Sequence, residues 1–274
     1  RAMIYDLIII GGGAAGLVLG NIAKQRGFSF VVLERAPKVG KKILATGNGK
    51  CNLTNLDMKA DYYNNTFVND VLSLYPPQKI IDFFEKLGMK TKAVEKRIYP
   101  YNETSHSVVS FLVKNIKQNI KENCKVESIR KEDNIFIVND KLTAKKIFFA
   151  TGTNAPMGED SLHLLKGFGH SVKALKPSLV WLKTDGKYIK GLNGMRAKAE
   201  VCLLDGKKEV ARQKGEILFK KEGISGIAIF MLSAYIARNM GKYSLSIDFA
   251  SDMKSQEIVE YDLQGVVKEE IAKK

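Results

Sequence analysis

Three glycines near the start of the chain have a spacing that suits phosphate binding. Gly11, Gly13 and Gly16 form the pattern G-x-G-x-x-G directly after an apolar, β-branched run. In this pattern the first glycine permits a tight turn, the second lets backbone approach a pyrophosphate, and the third lets a helix pack closely on a sheet. The N–H groups and the dipole at the start of that helix favour a bound phosphate. The spacing therefore predicts a dinucleotide site.

The elements needed to position this site follow in the right order. Residues 7–10 indicate a strand buried on both faces, residues 14–27 indicate a helix, and residues 28–33 indicate a second buried strand. Glu34 ends that strand, where its carboxylate can accept hydrogen bonds from ribose hydroxyls and would repel a 2′-phosphate. The alternatives are a glycine-rich turn that binds nothing and, since Arg1 precedes an apolar stretch, a secretory signal peptide. The ordered succession of glycines, helix, strand and acid argues against both.

Two further features favour FAD over NAD. The loop over residues 35–55 is rich in glycine and lysine and is longer than a nicotinamide-binding domain needs. Such a loop suits an extended FAD, with lysines and amides near the pyrophosphate and the Gly-Asn-Gly turn at 47–49 near the flavin. Residues 146–152 then indicate a buried strand that ends in Ala-Thr-Gly, where small residues leave room for a dinucleotide.

The motifs of this loop resemble a known family. Glu34 and Arg35, followed by Thr-Gly-Asn-Gly-Lys-Cys-Asn-Leu-Thr-Asn at 46–55, are similar to the bacterial BaiN/YhiN-like flavoproteins, also described as aminoacetone-oxidase-like FAD-binding enzymes. Lys50 stands where the family usually has arginine, which keeps the charge but loses the bidentate fork. The resemblance implies an α/β fold: a Rossmann-like FAD-binding domain of the two-dinucleotide-binding-domain flavoprotein type, with a second β-rich domain.

The predicted cofactor-binding residues combine the motif and the resemblance. They are Gly11, Gly13, Ala14, Ala15, Gly16, Glu34, Arg35, Lys42, Thr46, Gly47, Asn48, Gly49, Cys51, Asn52, Val126, Ala150, Thr151 and Gly152. The resemblance places a backbone contact to adenine at Val126, on a strand predicted at 125–129. For Cys51, a packing role beside the flavin competes with a redox role. No catalytic residue is predicted, because the flavin itself carries out the redox chemistry.

The later part of the chain predicts a second domain. We expect an FAD-binding domain at 1–175 and a β-rich substrate or interface domain at 176–274, since short strands and Asp-Gly turns follow Pro177. A helix predicted at 255–261 would begin an incomplete helical subdomain. The resemblance covers nearly the whole chain but only part of the family's length.

Composition limits the classes of function. The chain has 274 residues, 45% of them hydrophobic, and no apolar run near the ~20 residues of a membrane span. Its 3 cysteines form no C-x-x-C pair, so we expect no metal site, no disulfides and a cytoplasmic location. The net charge is +15, from 44 Lys and Arg against 29 Asp and Glu, and the lysines are spread along the chain. This charge favours anionic cofactors and leaves nucleic acid as a disfavoured partner.

The leading prediction is therefore an FAD-dependent oxidoreductase that transfers a hydride to or from a small organic molecule, with NAD(P)H as the candidate electron donor. The resemblance links some relatives to the reduction of steroid-like bile-acid intermediates and others to amine oxidation. One alternative is a flavin-dependent nucleic-acid-modifying or RNA-binding protein. Another is a non-catalytic remnant that has lost the segment closing over the flavin. The sequence leaves the oligomeric state open.

Overall fold

The computed structural model describes residues 3–63, 65–153, 161–173, 175–239 and 241–251. The contacts between Cα atoms divide the chain into two compact units, residues 1–172 and residues 173–274. One expectation from the sequence, the helix at 255–261, lies outside the described residues. No described helix combines the length and the apolar character that crossing a bilayer requires.

The first unit contains a parallel core with an antiparallel edge. Its strands are β1 (Ile4–Ile10), β2 (Phe30–Leu33), β3 (Thr54–Asn55), β4 (Thr91–Val94), β5 (Arg97–Pro100), β6 (Ile120–Lys121), β7 (Ile129–Glu132), β8 (Ile135–Val138) and β9 (Leu142–Phe149). Within the described residues, a six-stranded sheet has the order β6-β2-β1-β9-β8-β7, and β1 runs parallel to both β2 and β9. A smaller sheet has the order β3-β5-β4.

The described α-helices of this unit are α1 (Ala14–Gln25), α2 (Lys41–Leu44), α3 (Val68–Leu74), α4 (Pro77–Lys86), α5 (Ser105–Lys114) and α6 (His163–Lys166). Of these, α1, α2, α4 and α5 contribute side chains to the hydrophobic cluster on one face of the larger sheet. Ile9 packs with Leu17 of α1 on the helical face, whereas Ile8 packs with Val138 on the other face. Burial on both faces explains why β1 reads as an unbroken apolar run. α5 begins at Ser105, because Thr104 caps it by accepting a hydrogen bond from the Ser107 N–H.

The segment 125–128 corrects one expectation, since β7 begins only at Ile129. The side chain of Asn139 takes the place of a partner strand here. Its Oδ1 accepts hydrogen bonds from the N–H groups of Glu127 at 2.8 Å and Ser128 at 3.2 Å, and its Nδ2 donates to the Lys125 carbonyl at 2.7 Å. These bonds pair the Lys125 carbonyl and the N–H groups of Glu127 and Ser128 without a ladder, so the segment is not a strand.

The second unit is an antiparallel sheet packed against one helix. Its elements are β10 (Leu182–Lys183), β11 (Arg196–Asp205), β12 (Lys208–Lys220), β13 (Gly223–Ser225), α7 (Ile227–Arg238) and β14 (Tyr243–Asp248). The strand order is β10-β13-β12-β11-β14. Val201 and Ile217 from the long hairpin pack with Ile229 and Leu232 of α7, and all four are fully buried. The fold class predicted from the sequence is present: α/β in the first unit and β-rich in the second.

Candidate functional site

The predicted glycine turn lies where β1, β2 and β9 end at one edge of the sheet. The Gly11 N–H donates to the Leu33 carbonyl at 2.8 Å, and the Ala150 N–H donates to the Ile10 carbonyl at 2.7 Å. Gly11 has φ of +108°, and a Cβ atom there would lie 2.4 Å from the Ala150 carbonyl oxygen. Both the conformation and the contact therefore require glycine at this position.

Gly16 and Gly12 are constrained by close packing. A Cβ atom on Gly16 would lie 1.9 Å from the Gly11 carbonyl oxygen, so only glycine lets α1 approach the end of β1 this closely. A Cβ atom on Gly12 would lie 2.4 Å from Cγ1 of Val39. The sequence motif did not single out Gly12. The need for glycine at this position comes from its contact with Val39, which lies 27 positions later in the chain.

Gly13 differs from its neighbours because it faces open space. Among the described residues, no heavy atom lies within 4 Å of a Cβ atom built there, and its φ of −83° suits any residue. Gly13 is the N-cap of α1, whose first turn contains no acidic residue, and no side chain of the described part of the chain caps this helix. Ala14 and Ala15 are exposed beside it. The start of α1 thus presents backbone N–H groups and the positive end of the helix dipole to an open position.

The carboxylate of Glu34 is hydrogen-bonded to the glycine turn. Its Oε2 accepts a hydrogen bond from the Gly12 N–H at 2.8 Å, and its Oε1 accepts one from the Ala36 N–H at 2.8 Å. Each carboxylate oxygen has a further lone pair, so these bonds leave acceptor sites for ribose hydroxyls. The two backbone bonds fix the direction of the side chain, which the sequence could not indicate.

A small pocket brings five predicted residues together. Its volume is about 60 Å³, and its lining includes Gly11, Glu34, Arg35, Val126 and Thr151. The lining residues that sequence reasoning missed are Ile10, Leu33, Cys124, Lys125, Ser161 and Leu164. This volume holds about two water molecules, so a nucleoside requires the pocket to widen. The bond from the Cys124 N–H to the Glu34 carbonyl, at 2.8 Å, holds the 124–126 segment at this edge.

Val126 supplies unpaired backbone groups to this pocket. Neither its N–H nor its carbonyl has a hydrogen-bond partner among the described residues. Its neighbours differ, since the Glu127 N–H and the Lys125 carbonyl both bond to Asn139. A donor and an acceptor on one residue match the edge of a purine ring, which is the contact expected for Val126.

The loop at 46–52 is a turn with four residues in left-handed conformations, and its first residue is hydrogen-bonded to α2. Gly47, Asn48, Gly49 and Cys51 have φ values of 54°, 53°, 85° and 57°. Thr46 Oγ1 donates to the Ile43 carbonyl at 2.7 Å. Left-handed conformations at non-glycine residues cost energy and mark functional turns more often than ordinary loops.

The side chains of this loop divide into buried and exposed groups. Cys51 is 7% exposed and packs in the hydrophobic cluster that contains Ile43 and Val39. This burial favours the packing role over the redox role. Asn48 and Asn52 are exposed, and they do not line the small pocket with Glu34.

Lys42 and Gly152 lie next to each other. Lys42 Nζ donates to the Thr153 carbonyl, so α2 is tied to the turn after β9. Gly152 has φ of +67°, and a Cβ atom there would lie 3.3 Å from Lys42 Nζ. A lysine ammonium thus lies beside the Ala150-Thr151-Gly152 turn.

Glu103 contacts the loop at 46–52 through Lys50, and the sequence did not indicate this contact. Its carboxylate lies 2.6 Å from Nζ of Lys50 and 2.7 Å from Nζ of Lys92. Hydrogen bonds from the two ammonium groups lower the pKa of Glu103 to about 2. The same contact raises the pKa of Lys50. Glu103 therefore joins the 46–52 loop to β4.

Comparison with known proteins agrees with this geometry. Residues 5–273 match the model of the family described as HI0933-like protein Rossmann domain. The chain is 33% identical over 268 residues to a 3-dehydro-bile acid delta(4,6)-reductase of Clostridium scindens, covering 91% of this chain and 66% of the relative. It is 29% identical over 248 residues to a ribosomal RNA dihydrouridine synthase of Haemophilus influenzae, covering 83% of this chain and 61% of the relative.

The match to solved structures is weaker. The crystal structure of Thermovibrio ammonificans THI4 aligns with a TM-score of 0.40 and 16% identity over 61% of this chain and 64% of that one. The chain spans less than two-thirds of the length of the two curated relatives above, 66% and 61% respectively. The family model, however, covers nearly all of the chain, so this protein belongs to the HI0933-like protein Rossmann domain family.

Proposed function

We propose that this chain provides the cofactor-binding part of an FAD-dependent oxidoreductase. The observation that carries the proposal is the contrast among three glycines. Gly11 and Gly16 have no room for a Cβ atom, whereas Gly13 between them faces open space at the uncapped start of α1. Internal packing explains the first two residues but does not explain the third. A ligand phosphate that needs the space does explain it.

The residues around Gly13 fit the parts of FAD. The pyrophosphate would bind at the start of α1, the adenosine ribose at the remaining acceptor sites of Glu34, and the adenine edge at the backbone of Val126. The turn at 150–152, with Lys42 beside it, and the loop at 46–52 would hold the rest of the cofactor. The charge of Glu34 disfavours a 2′-phosphate in this pocket, so any NADPH would donate its hydride from another position.

The flavin, when bound, supplies the hydride chemistry, and the chain supplies binding and orientation. The uncapped N–H groups of α1 and the ammonium of Lys42 offset the charge of the pyrophosphate. The buried side chain of Cys51 fixes the loop at 46–52 without taking part in electron transfer. We further propose NAD(P)H as the electron donor.

We propose a small organic substrate that is reduced at a carbon–carbon double bond. The relative from Clostridium scindens is named a reductase of a 3-dehydro-bile acid, and it shares 33% of aligned residues with this chain. The substrate would then be an unsaturated ketone of steroid-like size.

RNA is the second candidate substrate, and a surface feature favours it. Tyr62, Phe67 and Tyr75 are 64%, 63% and 61% exposed, and Nζ of Lys79 lies 5.8 Å from the Tyr75 ring centre. Exposed aromatic rings beside lysines can stack on bases and contact phosphates. Two relatives, at 29% and 25% identity, are named ribosomal RNA dihydrouridine synthases.

Gly13→Ala tests the cofactor proposal. The space and the φ of −83° at this position accept a methyl group, so the folded protein should keep its melting temperature. Its affinity for FAD, measured by quenching of flavin fluorescence, should fall at least tenfold because the methyl group intrudes on the phosphate. Gly186→Ala is the matched control, since Gly186 also faces open space but lies in the second unit. Equal FAD affinity in the wild type and Gly13→Ala would contradict the proposal.

Turnover separates the two substrates. The FAD-loaded protein would be supplied with NADH or NADPH and with either a steroid dienone or a uridine-containing ribosomal RNA fragment. Consumption of the reduced nucleotide with the steroid alone supports the first substrate. Consumption with RNA alone, lost in Tyr62→Ala and Phe67→Ala, supports the second.

A further inference from the structure

The second unit carries two lysines side by side on the outer face of its sheet. Lys183 of β10 and Lys220 of β12 are both register partners of Gly223 in β13, the strand that lies between them. Register partners project from the same face of a sheet, so the two lysines share one face. Leu182 and Ile224 alternate with these residues along their strands and belong to the hydrophobic cluster on the opposite face.

Trp181 packs on this outer face at Gly223. A Cβ atom on Gly223 would lie 2.8 Å from Cζ3 of Trp181, so glycine at this position makes room for the indole. Nζ of Lys220 lies 5.4 Å from the centre of a Trp181 ring. The tryptophan nevertheless remains 40% exposed. The sheet therefore holds an aromatic side chain next to a lysine and in contact with solvent.

Leu179, two residues before Trp181, adds an exposed aliphatic side chain. It is 60% exposed and has φ of +55°, a left-handed conformation that few residues other than glycine and asparagine adopt. The next residue is anchored, since the Val180 N–H donates to Oγ of Ser233 at 3.1 Å, and Ser233 is 2% exposed. Contacts with α7 thus fix the backbone beside a leucine that projects into solvent. We call the following residues the Trp181 surface: Leu179, Trp181, Lys183, Lys220 and Lys221.

The charge around the Trp181 surface is positive. Residues 175–190 and 220–222 contain six lysines and two acidic residues. One of the two acids, Asp185, already lies 3.5 Å from Nζ of Lys187. This balance attracts anions, whereas the exposed leucine and indole favour an apolar environment. A partner that satisfies both must combine negative charge with an apolar interior.

We propose that the Trp181 surface docks this protein on an anionic lipid bilayer, with the lysines at the phosphate headgroups and with Leu179 and Trp181 at the edge of the acyl chains. Tryptophan is enriched at membrane–water interfaces, and lysines near a membrane bind anionic headgroups. Single-stranded RNA fits less well, because bases stack on aromatic rings and would leave Leu179 in water. The contact is peripheral and uses no residue of the dinucleotide pocket. The proposal therefore stands or falls separately from the FAD assignment.

The test measures the fluorescence of Trp181, which is the only tryptophan of the chain. The full chain is titrated with vesicles of phosphatidylcholine that contain about one-third phosphatidylglycerol, and with vesicles of phosphatidylcholine alone. The anionic vesicles should bind at least tenfold more tightly and should shift the emission to shorter wavelength. Bromine atoms on the acyl chains should quench that emission. Higher ionic strength should weaken the binding, because salt screens the lysines.

Leu179→Asn tests the apolar part of the contact. Asparagine adopts positive φ more readily than leucine, so the variant should keep the melting temperature of the wild type. Its affinity for anionic vesicles should fall roughly fivefold or more, because the apolar side chain is lost. Met231→Gln is the matched control, since Met231 is 45% exposed on α7 and is not part of the Trp181 surface. It should bind vesicles as the wild type does.

Lys183→Glu tests the electrostatic part. Reversing a charge at the headgroups should lower the affinity for anionic vesicles roughly tenfold or more. Lys208→Glu makes the same change in net charge at an exposed position, where β12 begins, whereas Lys220 ends that strand. This control should have little effect. An equal loss in both variants would mean that only the net charge of the protein matters, and would overturn the proposal.

Other results would also overturn it. One is the absence of binding, or equal binding to the two kinds of vesicle. Another is unchanged affinity in a folded Leu179→Asn variant, as judged by circular dichroism. Stronger quenching of Trp181 by single-stranded RNA than by brominated vesicles would assign the surface to nucleic acid. Emission that shifts to shorter wavelength with protein concentration alone would assign it to a second copy of the chain.

Discussion

The Gly12 N–H donates a hydrogen bond to Oε2 of Glu34 at 2.8 Å, so the glycine turn after β1 is joined directly to the acidic residue after β2. The Ala36 N–H donates a second hydrogen bond to this carboxylate, at 2.8 Å from Oε1. The carboxylate that would bind ribose therefore also fixes the turn that would bind the pyrophosphate. Cofactor affinity and local stability are linked at Glu34.

This link predicts a graded effect of substitution at Glu34. Glu34→Ala removes the acceptor of two N–H groups and the charged acceptor of ribose hydroxyls, so FAD affinity should fall by about 1.5–3 kcal/mol, roughly 10- to 150-fold. Glu34→Gln retains one oxygen acceptor and should lose less. Isothermal titration with FAD measures both variants, and melting temperatures report the local stability. Unchanged affinity in Glu34→Ala would remove this residue from the site.

Alanine substitution at Gly11 or Gly16 should lower the melting temperature, whereas alanine substitution at Gly13 should not. Alanine at Gly11 or Gly16 would place a methyl group 2.4 Å or 1.9 Å from a carbonyl oxygen. Such overpacking costs about 1–3 kcal/mol, and the positive φ of Gly11 adds to it. Both variants should therefore melt several degrees below the wild type in the absence of FAD. Gly13→Ala is the internal control, and an equal loss of stability in all three variants would contradict this account of the turn.

Local patterns predicted the first strand, helix and second strand because each has a periodic apolar pattern and clear end signals. Residues 14–27 gave the helix observed at Ala14–Gln25, which ends before Gly27 with its φ of +73°. The features that the sequence did not predict depend on contacts between residues that are far apart in the chain. Asn139 replaces a partner strand for residues 125–128, and Glu103 pairs with Lys50, 53 residues earlier. Ser161 and Leu164 reach the small pocket only through the fold. No local pattern encodes such contacts.

The ion pairs of Glu103 predict a pH-dependent contribution to stability. Its pKa is lowered from the ordinary value of 4.5 to about 2 by Lys50 and Lys92. Because the folded-state pKa is the lower one, the contribution is complete above pH 4.5 and is lost as the pH falls through about 2. The difference in melting temperature between the wild type and Glu103→Gln should therefore be largest at neutral pH and should shrink below pH 4.5.

A matched variant isolates this effect from general acid destabilisation. Glu85 is exposed and forms no ion pair among the described residues, so Glu85→Gln should change the melting temperature little at any pH. The same difference in melting temperature between the wild type and Glu103→Gln should shrink as ionic strength rises, because salt weakens exposed ion pairs. A pH-independent deficit in Glu103→Gln would mean that the ion pairs do not carry its effect.

Cysteine reactivity should report occupancy of the adenosine pocket. Cys124 is partly exposed and lines the pocket that contains Glu34, whereas Cys51 and Cys202 are 7% and 8% exposed. Burial also raises the pKa of the Cys202 thiol, which reduces the fraction of reactive thiolate. N-ethylmaleimide should therefore modify Cys124 first in the cofactor-free protein. Saturating FAD should slow that modification at least tenfold, because the nucleoside covers the thiol, and should leave Cys202 unaffected. Peptide mapping by mass spectrometry measures the three rates separately. A Cys124 rate that FAD does not change would show that the nucleoside binds away from the segment at 124–126, and the expected adenine contact at Val126 would then fail with it.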